Sequence, residues 1–381
     1  MINSIKSDLL STLNANKATD VINTCVHCGF CLATCPTYLL LGNELDSPRG
    51  RIYLIKSALE GNYSSKDTLN HLDKCLTCRS CETTCPSGVG YAELLDVGRE
   101  FLEQKRPLWQ KAFRYGVRKL LTNPVLFNPV GFLSRHSKVN NPLLTPNKNA
   151  EKVLLLGGCV QPVLAPNINQ SIKNILVKIG FEAIETPQSE CCGAVDHHLS
   201  ATKESMAKVK KNIDRWLSIN TDVIISSASG CGLMVKDYPS LFDKSDPYYR
   251  KAQQVSNKTK DIVEFLSDKD LTQLNLEKAD IVYHDPCTLQ HGQKLGGAVE
   301  SILKKLGYMP SAVQDSHLCC GSAGTYSIFQ PKLSKQLKTN KLNNLMASSP
   351  QIIVTANIGC LMHLQKDSKI PVKHWVELLD N

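Results

Sequence analysis

Sixteen cysteines in 381 residues fall into two different tandem duplications, and that pattern limits the possible folds more than any other feature of the chain. The first eight are Cys25, Cys28, Cys31 and Cys35, then Cys75, Cys78, Cys81 and Cys85, with an offset of 50 at all four positions. The surrounding residues agree as well: "CVHCGFCLATCP" and "CLTCRSCETTCP". The last eight are Cys159, Cys191, Cys192 and Cys231, then Cys287, Cys319, Cys320 and Cys360, at offsets of 128, 128, 128 and 129. Repeats of this kind report repeated structural units. A disulfide framework is a poor account of them in a chain this long whose start, "MINSIKSDLLSTLNANKATD", has no apolar h-region. Metal or redox use in a reducing cytoplasm fits better.

The first duplication has a specific chemistry. In C-x2-C-x2-C-x3-C-P three thiolates wrap one cubane, and the fourth cysteine, followed by proline, reaches the other cluster. One [4Fe–4S] site is therefore expected at Cys25, Cys28, Cys31 and Cys85, and a second at Cys75, Cys78, Cys81 and Cys35. Pro36 and Pro86 end the local turns. Zinc sites use paired C-x2-C units instead. Between Pro36 and Lys74 the pattern is helical, as in "RGRIYLIKSALEG". Residues 1–100 read as an α-helical, ferredoxin-like domain built around two clusters. His27 is expected to be a surface turn residue, since Thr77 fills its place in the second copy.

The second duplication reads as two α/β modules, 151–275 and 276–381. Each opens with an apolar run into a cysteine, "KVLLLGGCVQP" and "DIVYHDPCTLQ". A helical segment then ends at Gly180 or Gly307, and the cysteine pair follows. A longer helix precedes the β-branched runs "DVIISSASGC" and "QIIVTANIGC". Strand, helix, strand in this order predicts parallel sheets, with the cysteines at their C-terminal edges. Four thiols per module suit an iron–sulfur centre, an all-cysteine zinc site or a reducible disulfide between the adjacent pair. Glycine after the pair, Gly193 and Gly321, suggests close backbone approach to a bulky inorganic group. His197, His198, His284, His291 and His317 lie near these cysteines in sequence. Most are expected to be structural, and one or two to donate to sulfur or carry protons.

Residues 101–150 read as a basic helical linker. From Arg99 to Lys152 there are eleven Lys/Arg against three Asp/Glu, which holds nearly all of the chain's +9 excess. In "RPLWQKAFRYGVRKLL", Trp109, Phe113, Val117 and Leu120 form one stripe, and Lys111, Arg114 and Arg118 another. The favoured expectation is an apolar stripe packed on a domain with a solvated basic face. The alternative is a helix lying in a membrane interface. No segment reaches the ~18 apolar residues of a spanning helix, so the expected location is cytoplasmic, with peripheral contact at the inner face of the cell membrane. Nucleic acid is not expected as a partner, because aromatics are few and no binding motif is present. No G-x-G-x-x-G or nucleophile elbow is found, so the chain has no visible means of attacking a substrate itself.

Two ferredoxin motifs followed by two CCG modules resemble the iron–sulfur subunits of flavin-linked 2-hydroxy-acid dehydrogenases, and among them the glycolate oxidase iron–sulfur subunit family. The resemblance rests on "CVHCGFCLATCPTY", "SPRGRIYLI", "GGCVQPVLAPNIN", "SASGCGLMVKDY", "HDPCTLQHGQ", "HLCCGSAGTYS" and "TANIGCLMHLQ", spread over nearly the whole chain. It implies electron transfer from FAD on a partner flavoprotein, through 4Fe–4S clusters, to a membrane quinone or another carrier. Related subunits serve lactate and glycerol-3-phosphate oxidation. A zinc- or thiol-based redox sensor or scaffold is the non-enzymatic alternative. One departure stands out. The heterodisulfide reductase relatives end the motif in C-x2-C, whereas here Met234 and His363 hold the fifth position. Each is open as an accessory ligand, though a satisfied loop or core residue is expected.

Overall fold

In the computed structural model the described residues are 13–62, 64–133, 141–186, 191–274 and 276–380. Residues 1–12, most of the stretch read above for a leader, lie outside them, as do Arg135 and Lys138 of the basic segment. The N-terminal region is helical: α1 (Leu13–Thr24), α2 (Pro36–Leu41), α3 (Pro48–Leu59), α4 (Ser65–Asp73), α5 (Ser80–Thr84) and α6 (Tyr91–Glu103). Local sequence explains the starts. Ser47 caps α3 by accepting the Gly50 N–H at 3.0 Å, and Pro48 occupies the first turn, where its missing N–H costs nothing. Ile52, Ile55 and Leu59 of α3 pack on Leu94, Leu95 and Leu102 of α6. The two helices touch at Gly98, where a Cβ would lie 2.7 Å from Ile55. The two cysteine motifs also repeat their backbone. His27 (φ 55°) matches Thr77 (φ 51°), and Gly29 (φ 86°) matches Arg79 (φ 60°). His27 is exposed, as expected.

Two further helices, α7 (Leu108–Thr122) and α8 (Pro124–Leu133), lead to the α/β region. Its first module contains β1 (Glu151–Leu155), α9 (Gln161–Leu164), α10 (Pro166–Lys178), β2 (Phe181–Ile184), α11 (Ala194–His198), α12 (Thr202–Ser218), β3 (Ile224–Ser226), α13 (Ser229–Lys236), α14 (Pro247–Lys258), β4 (Thr259–Asp261) and α15 (Ile262–Leu266). The second contains β5 (Ile281–His284), α16 (Ala298–Lys305), α17 (Tyr326–Phe329), α18 (Pro331–Met346), β6 (Ile352–Thr355), α19 (Ile358–Gln365) and β7 (Val372–His374), then a 3-10 turn at Trp375–Leu379. Both sheets are parallel throughout, in the orders β2-β1-β3-β4 and β5-β6-β7. Gly180 and Gly307 take φ values of 88° and 89° just past α10 and α16. The fold is thus a helical ferredoxin-like region followed by tandem parallel α/β modules, as the sequence predicts.

The duplication is less complete than the cysteines suggest. In place of a counterpart to β2, the second module keeps one parallel bridge, Val282 to Ser311. Helix α14 has no counterpart. A further repeat escaped the sequence reading: "KDIVEFL" at 260–266 and "KHWVELL" at 373–379 each carry a full capping box, Asp261 with Glu264 and His374 with Glu377. The modules pack reciprocally, α10 on Trp375–Leu379 and α16 on α15, around one continuous apolar core.

Helix α7 departs from the favoured expectation of a buried apolar stripe and a solvated basic face. Its arginines face inward: Arg114 and Arg118 are buried, whereas Leu108, Trp109 and Phe113 are exposed. Acidic partners explain the inversion. Arg114 approaches Glu103 at 3.5 Å, and Arg118 reaches Glu204 at 2.9 Å and Asp196 at 3.3 Å. Nearby Arg106 pairs with Asp73 at 2.7 Å and Glu103 at 2.8 Å. Four arginines of the basic segment, Arg99, Arg106, Arg114 and Arg118, are therefore internal struts rather than part of a cationic surface. Among the described residues no helix is long and apolar enough to cross a membrane.

Candidate functional site

A small cavity in the N-terminal region is lined by Cys35, Cys75, Cys78 and Cys81 together with Arg51 and Tyr91. Three of these cysteines come from the second motif and one from the first. Cys35 Sγ lies 3.3 Å from Thr37 Oγ1 and 4.0 Å from Arg51 Nη1. Cys75 Sγ accepts from Tyr91 OH at 3.7 Å and from the Thr77 N–H at 3.4 Å. Cys25, Cys31 and Cys85 pack at the border of the helical core, and Cys28 is exposed. Burial pushes the Cys31 thiol up to about 11, and it holds Cys78 and Cys81 well above the thiol range. Buried thiols of this kind ionise when a metal replaces their protons.

Two buried arginines outside the cysteine motifs shape this site. Arg51 on α3 is fully buried, donating to His71 O at 2.8 Å and Thr37 Oγ1 at 3.0 Å, with Asp46 3.8 Å away. Arg99 on α6 donates to Leu72 O at 2.9 Å, Cys75 O at 2.8 Å and Thr77 Oγ1 at 3.0 Å. It holds the loop that begins the second motif. The only sequence signal was Arg51's place in "SPRGRIYLI"; Arg99 looked like part of the basic linker.

All eight module cysteines line one larger cavity of about 670 Å³, which also reaches Cys75, Asp96, His197 and His198. Within each module neighbouring thiols shift one another's ionisation in the same order: Cys159, Cys191, Cys192, Cys231 and Cys287, Cys319, Cys320, Cys360. Cys287 and Cys319 sulfurs are 3.8 Å apart. Hydrogen bonds from Cys159 and then Cys192 hold the Cys191 sulfur well below the usual thiol range. Cys159, Cys231, Cys287 and Cys360 sit past the ends of β1, β3, β5 and β6, at the C-terminal edges of the sheets.

The glycine of each pair also sets a tight turn. Gly193 (φ 90°) and Gly321 (φ 88°) are left-handed, and they turn the chain against α12 and α18. Ser205 Oγ donates to Gly193 O at 3.2 Å, and Ser334 Oγ to Gly321 O at 2.8 Å. A Cβ on Gly321 would lie 2.7 Å from Ser334 O.

The histidines divide. His197 Nε2 and His198 Nδ1 meet the two Asp96 oxygens at 3.1 and 3.4 Å, joining the first module to α6. His291 Nδ1 meets Thr83 Oγ1 at 2.9 Å and its Nε2 meets His317 O at 2.9 Å, joining the second module to α5. His363 Nε2 contacts Ser334 Oγ at 3.3 Å, and burial pushes its pKa down to about 4. Met234 is buried in a core with Trp216 and Tyr238. Both are satisfied residues, as expected. His284 differs. It is buried at the end of β5, its Nδ1 is 3.1 Å from Thr355 Oγ1, and its Nε2 has no hydrogen-bond partner.

Comparison with known proteins agrees with this anatomy. A 4Fe–4S dicluster domain family matches residues 21–89, and a cysteine-rich domain family matches 153–236 and 281–365. The chain is 44% identical to the glycolate oxidase iron–sulfur subunit of Escherichia coli (strain K12), covering 99% of this chain and 98% of that one. It is 28% identical to the probable glycolate oxidase iron–sulfur subunit of Bacillus subtilis (strain 168), over 90% of this chain and 88% of the relative. Lactate utilization protein A of the same organism is 24% identical over 60% of this chain and 99% of its own length. Among solved structures, a hypothetical protein from Helicobacter pylori matches at a TM-score of 0.52 with 11% identity, covering 87% of this chain and 66% of that one, a likeness of fold alone.

Proposed function

The chain belongs to the glycolate oxidase iron–sulfur subunit family, and from that premise we propose that it is the electron-transfer subunit of a flavin-linked complex oxidising glycolate to glyoxylate. That oxidation releases two electrons and two protons. In this reading FAD on a partner subunit takes both electrons, and this chain relays them one at a time toward a membrane quinone. When bound, each 4Fe–4S cluster supplies a one-electron acceptor. The chain supplies ligands, charge and insulation.

Cys25, Cys28, Cys31 and Cys85 form one proposed ligand set; Cys75, Cys78, Cys81 and Cys35 form the other. The observation that carries this reading is the cavity whose walls combine Cys35 with Cys75, Cys78 and Cys81, the exchange of fourth ligands that two adjacent clusters require. Arg51 keeps a positive charge beside Cys35, and Arg99 holds the carbonyl of Cys75. Cys78 packs with Leu76, Tyr326, Cys287 and Cys319, so the second set borders the second module. The module cysteines are proposed as further iron–sulfur centres along the same route. The exposed apolar face of Leu108, Trp109 and Phe113, with Val125 and Leu133 beyond it, is the proposed membrane-facing side of a cytoplasmic protein.

Metal analysis with electron paramagnetic resonance on anaerobically purified chain tests the core of this reading. Two cubanes contribute about eight irons per chain and magnetically interacting signals on reduction. Zinc alone, without paramagnetism, overturns it. Quinone reduction by the whole complex with glycolate, lactate or glycerol-3-phosphate then identifies the substrate, and glycolate is expected to be the fastest.

A further inference from the structure

The two modules place different atoms at the same point of the fold. Aligned on their first cysteines, His284 of the second module corresponds to Leu156 of the first. Thr355, at the end of β6, corresponds to Ser226 at the end of β3. In the first module Leu156 is half-buried against apolar neighbours, and the Ser226 hydroxyl turns to Ala228 O at 3.1 Å. In the second, the His284 ring is 2% exposed, and one of its nitrogens lies with the sulfurs of Cys320 and Cys360 in a group no wider than 4.8 Å.

A buried imidazole nitrogen without a partner is costly to keep and calls for an explanation. The geometry supplies one. Nδ1 lies 3.1 Å from Thr355 Oγ1, and the tautomer that donates Nδ1–H there leaves Nε2 as a lone-pair donor. That is the usual state of a metal-binding histidine, whose second ring nitrogen is anchored by a hydrogen bond that fixes tautomer and orientation. His363, which occupies the fifth-cysteine position in sequence, is already engaged with Ser334.

We propose that His284 Nε2 is a ligand to an iron centre held in the second module by Cys287, Cys319, Cys320 and Cys360, and that the first module holds an all-cysteine centre of different character. The proposal rests on the reading of the modules as iron–sulfur sites. Thr355 is a positioning residue that acts through the ring.

Full-length chain, purified anaerobically with natural-abundance or 15N-labelled histidine, is examined by electron–nuclear double resonance and iron analysis. The expected result is a directly coordinated histidine nitrogen in the wild type that is absent from His284→Gln. Leu156→Ala in the first module leaves that coupling unchanged. If His284→Gln fails to accumulate, Thr355→Val decides. It frees the ring and changes the coupling if His284 is the ligand, and it leaves the coupling unaltered if another histidine is. Iron content of Cys360→Ser separates the two levels of inference. Iron lost in Cys360→Ser, with no histidine coupling in the wild type, overturns the role of His284 and leaves the module centre standing. Iron unchanged in Cys360→Ser overturns the module centre itself.

Discussion

Arg99 shows how much one side chain can contribute to a site it never enters. Its guanidinium satisfies two buried carbonyls and a hydroxyl at the start of the second motif. Replacing it with alanine leaves those acceptors unpaired, at a cost on the order of 3 kcal/mol. Arg99→Ala is expected to lower the urea midpoint and to lose iron faster to a chelator, with the first motif less affected. The His197–Asp96 pair sets a pH dependence. Burial pushes His197 down, but the Asp96 carboxylate, backed by Glu100 and Asp237, more than reverses it, so its pKa is raised. The same pairing overcomes burial to hold Asp96 well below the carboxylate range. A raised folded-state pKa means that stability from the imidazolium is complete below the ordinary value of about 6.5 and fades as pH climbs through the raised value. The stability gap between wild type and His197→Gln should therefore be widest near pH 6 and narrow toward pH 8.5, read by urea unfolding at each pH. The cysteines of both sites were legible as residues, because their spacing is their chemistry. The arginines and Asp96 were not, because what a buried polar side chain meets is decided by partners removed along the chain. Asp96, for example, meets residues 101 and 102 positions later.

At the scale of elements, amphipathic periodicity located α7 but gave its orientation backwards. Periodicity separates two faces; which one turns inward depends on what the neighbours offer. Here they offer Asp73, Glu103, Asp196 and Glu204. Arg118→Glu is expected to destabilise by about 2–4 kcal/mol, since it sets a carboxylate against two others in a mostly buried place. Trp109→Glu should change stability by no more than about 0.5 kcal/mol, and it should weaken sedimentation with anionic liposomes. Unchanged sedimentation argues against the membrane-facing role of α7. The turns after the paired cysteines give a second contrast. Gly321→Ala forces a left-handed alanine into Ser334 O and should cost on the order of 2–4 kcal/mol. Gly193→Ala meets the Ser205 hydroxyl and Val209 at 3.3 Å and the Ser205 carbonyl at 3.6 Å, and should cost less. Differential scanning calorimetry of both variants ranks them. The sequence marked both glycines as necessary. It could not show that the crowding body was a helix.

Across the whole molecule, parallel pairing followed from the alternation of β-branched runs and helices, and the ferredoxin-like region followed from its motifs. The joint between the modules did not, because reciprocal packing is a property of two surfaces, each unremarkable alone. His374 of one module meets Ser227 O of the other at 3.0 Å, Gln293 meets Asp261 at 3.2 Å, and apolar residues of both fill a single core. Residues 276–381 expressed alone should expose that core and melt without a cooperative transition by circular dichroism, whereas 141–381 should melt as one unit. The reciprocal joint is the contact expected of a homodimer with twofold symmetry. In a true homodimer every substitution is made twice, so both halves keep the same centre. Once the two copies are written into one chain, that constraint is gone: leucine can stand at 156 and histidine at 284. Fusion gives such a protein two independently adjustable positions where a symmetric pair has one.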